Sequence, residues 1–283
     1  MPQQSSLLSV ACELGKSRNL KAITFEASGN FKETFKATTE NGQTIALKIL
    51  DPSKCNPARS DREINAMKKC NSPFIGKLYD CGTFTASDGI TYYFSLEEFF
   101  DGGTLTSKMG NKKLPPDIVR EYAIPLVKAL DHLKTLDLVH RDIKPDNIMF
   151  RKNSSEPILV DFGLVRDLSE SSLTKTWLPQ GPGTPYYSAP EQLNNEKHLI
   201  KWRTDQFCLG IVLGICLTRQ HPFAEPGMTG AGAIDAVAQR KFCSTQFKNE
   251  VNALGLGGIV KMLEPWPIRR YSTPNELLTV FQR

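Results

Sequence analysis

Residues 140–147 read His-Arg-Asp-Ile-Lys-Pro-Asp-Asn. Asp-Phe-Gly follows at 161–163, fourteen residues after Asn147, and Gly-Thr-Pro-Tyr-Tyr-Ser-Ala-Pro-Glu stands at 183–191. Ala-Leu-Lys lies upstream at 46–48. Taken singly, the polar members of these stretches are turn residues in a loop, and Lys48 is a solvated lysine. Found together in this order, each match lowers the false-positive risk of the others.

The sequence around these motifs changes character part-way. Before them, ITFEAS (23–28), ETFKATT (33–39), TIALKIL (44–50), GKLYDCGTF (76–84) and ITYYFSLEEFF (90–100) carry β-branched and aromatic residues, which predicts five strands. Asn41-Gly42 and Asp88-Gly89 supply hairpin turns. Ile64, Met67 and Lys68 have helical spacing, with Ser60 or Asp61 as a cap. After Gly102-Gly103, a plausible hinge, the pattern turns helical. PDIVREYAIPLVKALDHLKTL repeats apolar residues at helical intervals, and Pro125 removes one backbone donor and is expected to kink it. TDQFCLGIVLGICLT is apolar nearly all round, as a buried helix is. NELLTVFQR reads as a last amphipathic turn or two.

Composition narrows the classes. With 283 residues and 31.6 kDa the chain suits one large domain or two lobes. Apolar residues make up 40% and charged residues 23%, which excludes collagen-like and wholly disordered chains. No apolar run reaches membrane-spanning length, so no membrane segment is expected. The start has neither the basic leader nor the long apolar run of a secretory signal, and its apolar stretch up to Cys12 reads as a buried helix or strand. A net charge of +5 suits anionic ligands but is too weak to argue for nucleic acid. Seven cysteines are dispersed without CxxC or zinc spacing, which predicts reduced thiols, mostly in the core, and a cytoplasmic protein.

The four motifs together resemble the protein-kinase family, on its serine/threonine branch because Lys144 stands two residues after Asp142. The resemblance runs from about Ala27 to the C-terminus. It implies an α+β class and a bilobal protein-kinase fold. One lobe is a small antiparallel sheet with one helix, over about 20–101. The other is larger and mainly helical, over about 104–283. Residues 1–19 form a short extension, and the whole chain, 1–283, is one kinase domain. The implied activity is ATP-dependent transfer of phosphoryl groups to Ser/Thr hydroxyls of protein substrates, with autophosphorylation. ATP and Mg²⁺ are the implied cofactors. Oligomeric state, substrate identity and upstream signal are not readable.

By the same resemblance, Asp142 takes the proton of the substrate hydroxyl and Lys144 stabilises the transferring phosphoryl. Catalysis of this kind is mostly positioning and charge neutralisation. A positioned base is worth about 10²–10⁴-fold. Asn147 and Asp161 offer hard oxygen ligands, which suit Mg²⁺. Lys48 holds the α/β-phosphates, with Ala46 two residues before it and Glu63 as its carboxylate partner. Ala27, Gly29 and Lys32 occupy the phosphate-covering loop, where the family pattern G-x-G-x-x-G keeps only its middle glycine. Glycine permits close backbone approach to phosphate; here Lys32 offers a charge instead, unless it is a solvated loop lysine. Glu98 to Phe100 offer backbone groups to the adenine. Glu97 then borders the back pocket, a place usually apolar or Thr. A buried carboxylate there needs a partner such as a basic residue, or else the register is off by one.

Further expectations follow from the resemblance. Thr184 approaches Asp142 and Lys144, Glu191 pairs with Arg270 in a buried structural ion pair, and Asp205 braces the backbone at 140–142. His140 and Phe162 pack. Arg141 often receives an activation-loop phosphate in this family; the candidates here are Ser169, Ser171, Ser172, Thr174 and Thr176, since Gln180 fills the usual position. Two other readings are a pseudokinase scaffold, favoured by the eroded glycine loop and Glu97, and a small-molecule phosphotransferase, which generally lacks a GTPYYSAPE segment.

Overall fold

The computed structural model describes residues 5–29, 32–53, 64–162, 166–167 and 184–282. The chain divides into two compact units: one comprises the chain up to Asn71 together with Gly76–Phe100, the other Ser72–Ile75 with Asp101–Arg283. The α+β architecture of a sheet unit and a helical unit is the one expected.

The sheet unit opens with helix α1 (Leu8–Ser17) and continues with β1 (Lys21–Ser28), β2 (Lys32–Thr38), β3 (Thr44–Leu50), helix α2 (64–69), β4 (Leu78–Thr85) and β5 (Thr91–Glu98). All five strands pair antiparallel in the order β1-β2-β3-β5-β4. Each predicted strand is present. The Gly42 and Gly89 turns work because both glycines take positive φ, +79° and +81°, a region L-residues avoid. The expected cap residues Ser60 and Asp61 lie outside the described residues.

Period-2 alternation gives the sheet two different faces. Phe35, Ala37, Ile45, Leu47, Ile49, Phe94 and Leu96 bury on one, against Leu7, Val10, Ala11 and Leu14 of the α1 region. The apolar start of the chain is therefore a buried helical face, one of the two forms anticipated. Ala46, Lys48, Ser95 and Glu97 have the opposite parity. The α1 N-terminus is fixed by Glu33 of β2, whose carboxylate accepts hydrogen bonds from Ser5 Oγ, Ser6 N–H, Ser6 Oγ and the Leu7 N–H at 2.6–3.2 Å. Burial pushes the Glu33 carboxyl up, but these donors outweigh it and its pKa is lowered. Such a charged acceptor at a helix start satisfies otherwise orphaned donors and suits the helix dipole.

The helical unit contains α3 (Leu105–Met109), α4 (Pro116–Thr135), β6 (Leu138–Val139), β7 (Ile148–Phe150), β8 (Pro157–Leu159), β9 (Arg166–Asp167), α5 (Pro190–Leu193), α6 (Trp202–Thr218), α7 (Gly230–Ala238), α8 (Thr245–Ala253), α9 (Gly258–Met262) and α10 (Pro274–Phe281). Helix α6 is its axis: every residue from Thr204 to Thr218 is buried, as its all-round apolar sequence requires. Helix α4 packs on α6 and α10 and runs through the buried Pro125 as one element, so tertiary packing offsets the lost hydrogen bond. Gly102 has a role besides the hinge suggested for it. A Cβ there would lie 2.5 Å from the Arg151 carbonyl oxygen, and the Gly102 N–H donates to the Phe150 carbonyl at 3.0 Å. Among the described residues no helix is long and apolar enough to cross a membrane. Of the six described cysteines, all free, Cys208, Cys216 and Cys243 are buried, Cys70 and Cys81 half-buried and Cys12 exposed.

Candidate active site

In the helical unit the HRD stretch leaves β6 and is held open by side chains from elsewhere. Asp205, one turn into α6 and almost wholly buried, accepts the backbone N–H groups of His140 and Arg141 at 2.8 and 2.9 Å. Burial pushes its carboxyl up, against His140 and these two donors, which hold it down. The brace fixes Arg141 at φ +71°, a left-handed conformation that costs a non-glycine residue about 1–2 kcal/mol. Gln192 adds a second tie, donating to the Arg141 carbonyl at 2.8 Å. The sequence reading did not single out Gln192.

His140 is fully buried and stacks on Phe162 with ring centres 5.2 Å apart. Its Nδ1 accepts the Asp142 N–H at 3.3 Å, so Nε2 carries the proton and donates to the Val160 carbonyl at 3.1 Å. Both ring residues are packing groups, as expected of them.

Asp142 is therefore presented on a braced loop, and its two oxygens have different surroundings. Oδ2 accepts Lys144 Nζ at 2.8 Å and Asn147 Nδ2 at 3.1 Å. Oδ1 faces the Thr184 N–H at 3.3 Å and the Thr184 hydroxyl at 3.4 Å. Lys144 Nζ also donates to Thr184 Oγ1 at 3.2 Å. Asn147 makes a further bond from Nδ2 to the Asp142 carbonyl at 2.8 Å, which orients its amide with Oδ1 turned away from these contacts. That oxygen and the Asp161 carboxylate are hard donors. Two protein oxygens fit Mg²⁺, which keeps several waters and prefers one or two carboxylates plus phosphate. Asp161 follows β8 at φ +67°, one more residue in a strained conformation of the kind that clusters at functional sites.

The segment that carries Thr184 is anchored below. Glu191 and Arg270 form a fully buried bidentate pair. Tyr186 lines a cavity of about 450 Å³ with His221, Glu225, Met228 and Gln246.

In the sheet unit, Lys48 sits on β3 opposite Ser95 of β5, and Ala46 sits opposite Glu97. Lys48 Nζ lies 2.6 Å from Glu97 Oε2, and Ser95 Oγ donates to Glu97 Oε1 at 2.6 Å. Glu97 thus has the basic partner that a buried carboxylate requires, and it is Lys48. Sequence demanded such a partner but left it unnamed, because the pairing of β3 with β5 that brings the two together is set by register. Glu63, the carboxylate assigned to Lys48, lies outside the described residues, as do Ser169, Ser171, Ser172, Thr174, Thr176 and Gln180. Ala27 is exposed at the end of β1, and Gly29 donates to the Lys32 carbonyl at 2.8 Å, closing the loop between β1 and β2. A Cβ at Gly29 would make only ordinary contact, 3.5 Å from that carbonyl. The Glu98 N–H is engaged with the Lys77 carbonyl at 2.9 Å, so this residue does not donate to a base. Phe100 is buried.

Comparison with known proteins agrees with this geometry. The family profile described as "Protein kinase domain" matches residues 27–279, and the chain belongs to that family. It is 30% identical over 257 residues to a probable serine/threonine-protein kinase of Streptomyces coelicolor, covering 88% of this chain and 37% of the relative. It is 30% identical over 252 residues to CBL-interacting protein kinase 26 of Oryza sativa, covering 87% of this chain and 48% of the relative. CBL-interacting serine/threonine-protein kinase 15 of Arabidopsis thaliana is 28% identical over 281 residues, covering 96% and 61%. The chain thus spans from about a third to three-fifths of the length of these relatives.

Proposed function

We propose that the chain catalyses transfer of the γ-phosphoryl group of ATP to Ser/Thr hydroxyls of protein substrates, and phosphorylates itself. The observation that carries this reading is Asp142, presented on a braced loop and surrounded by Lys144, Asn147 and Thr184. Asp142 accepts the hydroxyl proton as the oxygen bonds to the γ-phosphorus and the bond from that phosphorus to the β–γ bridging oxygen breaks, releasing ADP. Lys144 lies within 2.8 Å of Asp142, placed to neutralise charge on the transferring group. Thr184 fixes the carboxylate and shapes the acceptor side. Lys48 would hold the α/β-phosphates, and Asn147 and Asp161 would hold Mg²⁺. When bound, the metal neutralises phosphate charge and aligns the phosphates for displacement. Ala27, Gly29 and Lys32 cover the phosphates, and Ala46, the Glu98 carbonyl and the Phe100 backbone border the base. Glu63 is retained as a carboxylate partner for Lys48, and Thr176 as the foremost phosphorylation site.

A protein acceptor is favoured over a small molecule by the anchored segment from Thr184 to Glu191 beside a concave surface. The scaffold alternative is weakened because Lys48, Asp142, Asn147 and Asp161 are all retained. Their oxygens and nitrogens are those phosphoryl transfer uses. A cytoplasmic location is our reading of the dispersed cysteines, three of them buried as small core side chains. The test is incubation with Mg²⁺, labelled ATP and a generic basic protein, followed by acid hydrolysis. Label on phosphoserine or phosphothreonine is expected. Absence of label from phosphoserine and phosphothreonine of both the acceptor and the chain itself would overturn the protein-substrate reading.

A further inference from the structure

The two oxygens of Glu97 are both engaged by residues on its own face of the sheet. Lys48 Nζ takes Oε2 and Ser95 Oγ takes Oε1, each at 2.6 Å. The Lys48 and Glu97 side chains are 13% and 9% exposed. The ladder explains why they meet. Lys48 opposes Ser95 and Ala46 opposes Glu97, so Lys48 and Glu97 are diagonal neighbours, within reach of long side chains on a pleated sheet. A largely buried ion pair is weak evidence for stability, because desolvation offsets its attraction, and this one engages the lysine read as the phosphate contact.

We propose that Glu97 is a positioning residue for nucleotide binding: it tethers the Lys48 ammonium from within the sheet and so sets the affinity for the phosphates of ATP. Ser95 orients the carboxylate. Both partners stand on adjacent strands of one hydrogen-bonded ladder. Their relative placement is therefore fixed by the sheet, whatever carboxylate α2 or its preceding segment supplies in addition. The proposal rests on the reading that Lys48 meets the phosphates.

The experiment is a double-mutant cycle on binding. Affinities for a Mg²⁺-loaded non-hydrolysable ATP analogue and for adenosine are measured by titration calorimetry in wild type, E97Q, E97D, K48M and K48M/E97Q. Thermal unfolding is recorded for each. Gln keeps the size of Glu97 and removes its charge. Expected for E97Q is at least fivefold weaker binding of the analogue, less than twofold change for adenosine, and partial rescue by E97D. In the K48M background the E97Q step should change nothing, since Glu97 acts through Lys48. Unchanged or tighter analogue binding in folded E97Q overturns the proposal. So does equal weakening of adenosine and analogue, or an E97Q effect that survives in K48M. If folded K48M/E97Q binds the analogue as wild type does, the reading of Lys48 itself fails, and with it the proposal.

Discussion

Arg270 and Glu191, 79 residues apart in sequence, form two parallel hydrogen bonds at 2.7 and 3.0 Å with both side chains wholly buried. The remaining guanidinium donors reach the carbonyls of Glu264, Arg203 and Pro265. Thr204 Oγ1 donates to the same carboxylate oxygen at 2.9 Å. The pair thereby ties the segment carrying Thr184 to the start of α6 and to the chain after α9.

Loss of one partner leaves an uncompensated buried charge, which costs about 3–5 kcal/mol. Arg270→Met and Glu191→Gln are each expected to lower stability by about that amount in denaturant unfolding. A double Glu191→Gln/Arg270→Met variant is expected to lose less than the sum. Purely additive losses would show that the two residues stabilise independently.

His221 makes stability depend on pH. Burial lowers its pKa from 6.5 to about 4, against the Tyr186 carbonyl, which raises it. The Phe223 N–H donates to Nδ1 at 3.3 Å, and Nε2 pairs with the Tyr186 carbonyl at 3.0 Å. The unfolded chain takes up this proton below about pH 6.5 and the folded chain does so only near pH 4. Stability is therefore lost as pH falls through that window, by about 2 kcal/mol at pH 5. Unfolding free energies at pH 7 and pH 5 should differ by less in His221→Gln than in wild type.

Glu33 predicts a role for the first helical turn. Removing the carboxylate strands the donors of Ser5, Ser6 and Leu7, and hydrogen bonds to a charged group are worth about 1.5–3 kcal/mol. Glu33→Ala is expected to destabilise by a few kcal/mol, on the order of two such bonds, and to speed amide exchange in α1. Unchanged exchange there would contradict the clamp.

Two of the glycines expected to matter for ligand or hinge, Gly29 and Gly102, behave differently. Gly102→Ala forces a Cβ to 2.5 Å from a backbone oxygen, an overpacking expected to cost about 1–3 kcal/mol. Gly29→Ala makes only an ordinary contact, 3.5 Å from the Lys32 carbonyl oxygen, and should leave the melting temperature unchanged. Equal melting temperatures for both variants would contradict the packing account of Gly102.

Much of this was legible beforehand because it is written in local pattern. β-Branched and aromatic residues marked all five strands, and the all-round apolar run marked α6. The ordered motifs placed Asp142, Lys144, Asn147 and Thr184 on one loop system. Pro125 does not end α4, since packing on α6 and α10 offsets a single missing donor. Glu33 and Gln192 went unnoticed because a polar residue in a strand or short helix has an ordinary solvated reading, and only tertiary contact reveals its donors. The partner of Glu97 was hidden for the same reason: pairing across a sheet depends on register, which no single strand carries.

If Asp142 is the base of a phosphoryl transfer, wild type and Asp142→Ala will differ sharply in labelling. Both are incubated with Mg²⁺, labelled ATP and a basic protein acceptor, with melting temperature as the control for folding. Label is expected on the acceptor with wild type, with a loss of about 10²–10⁴-fold in the variant, at similar melting temperature. Equal labelling by the two proteins would contradict that role for Asp142.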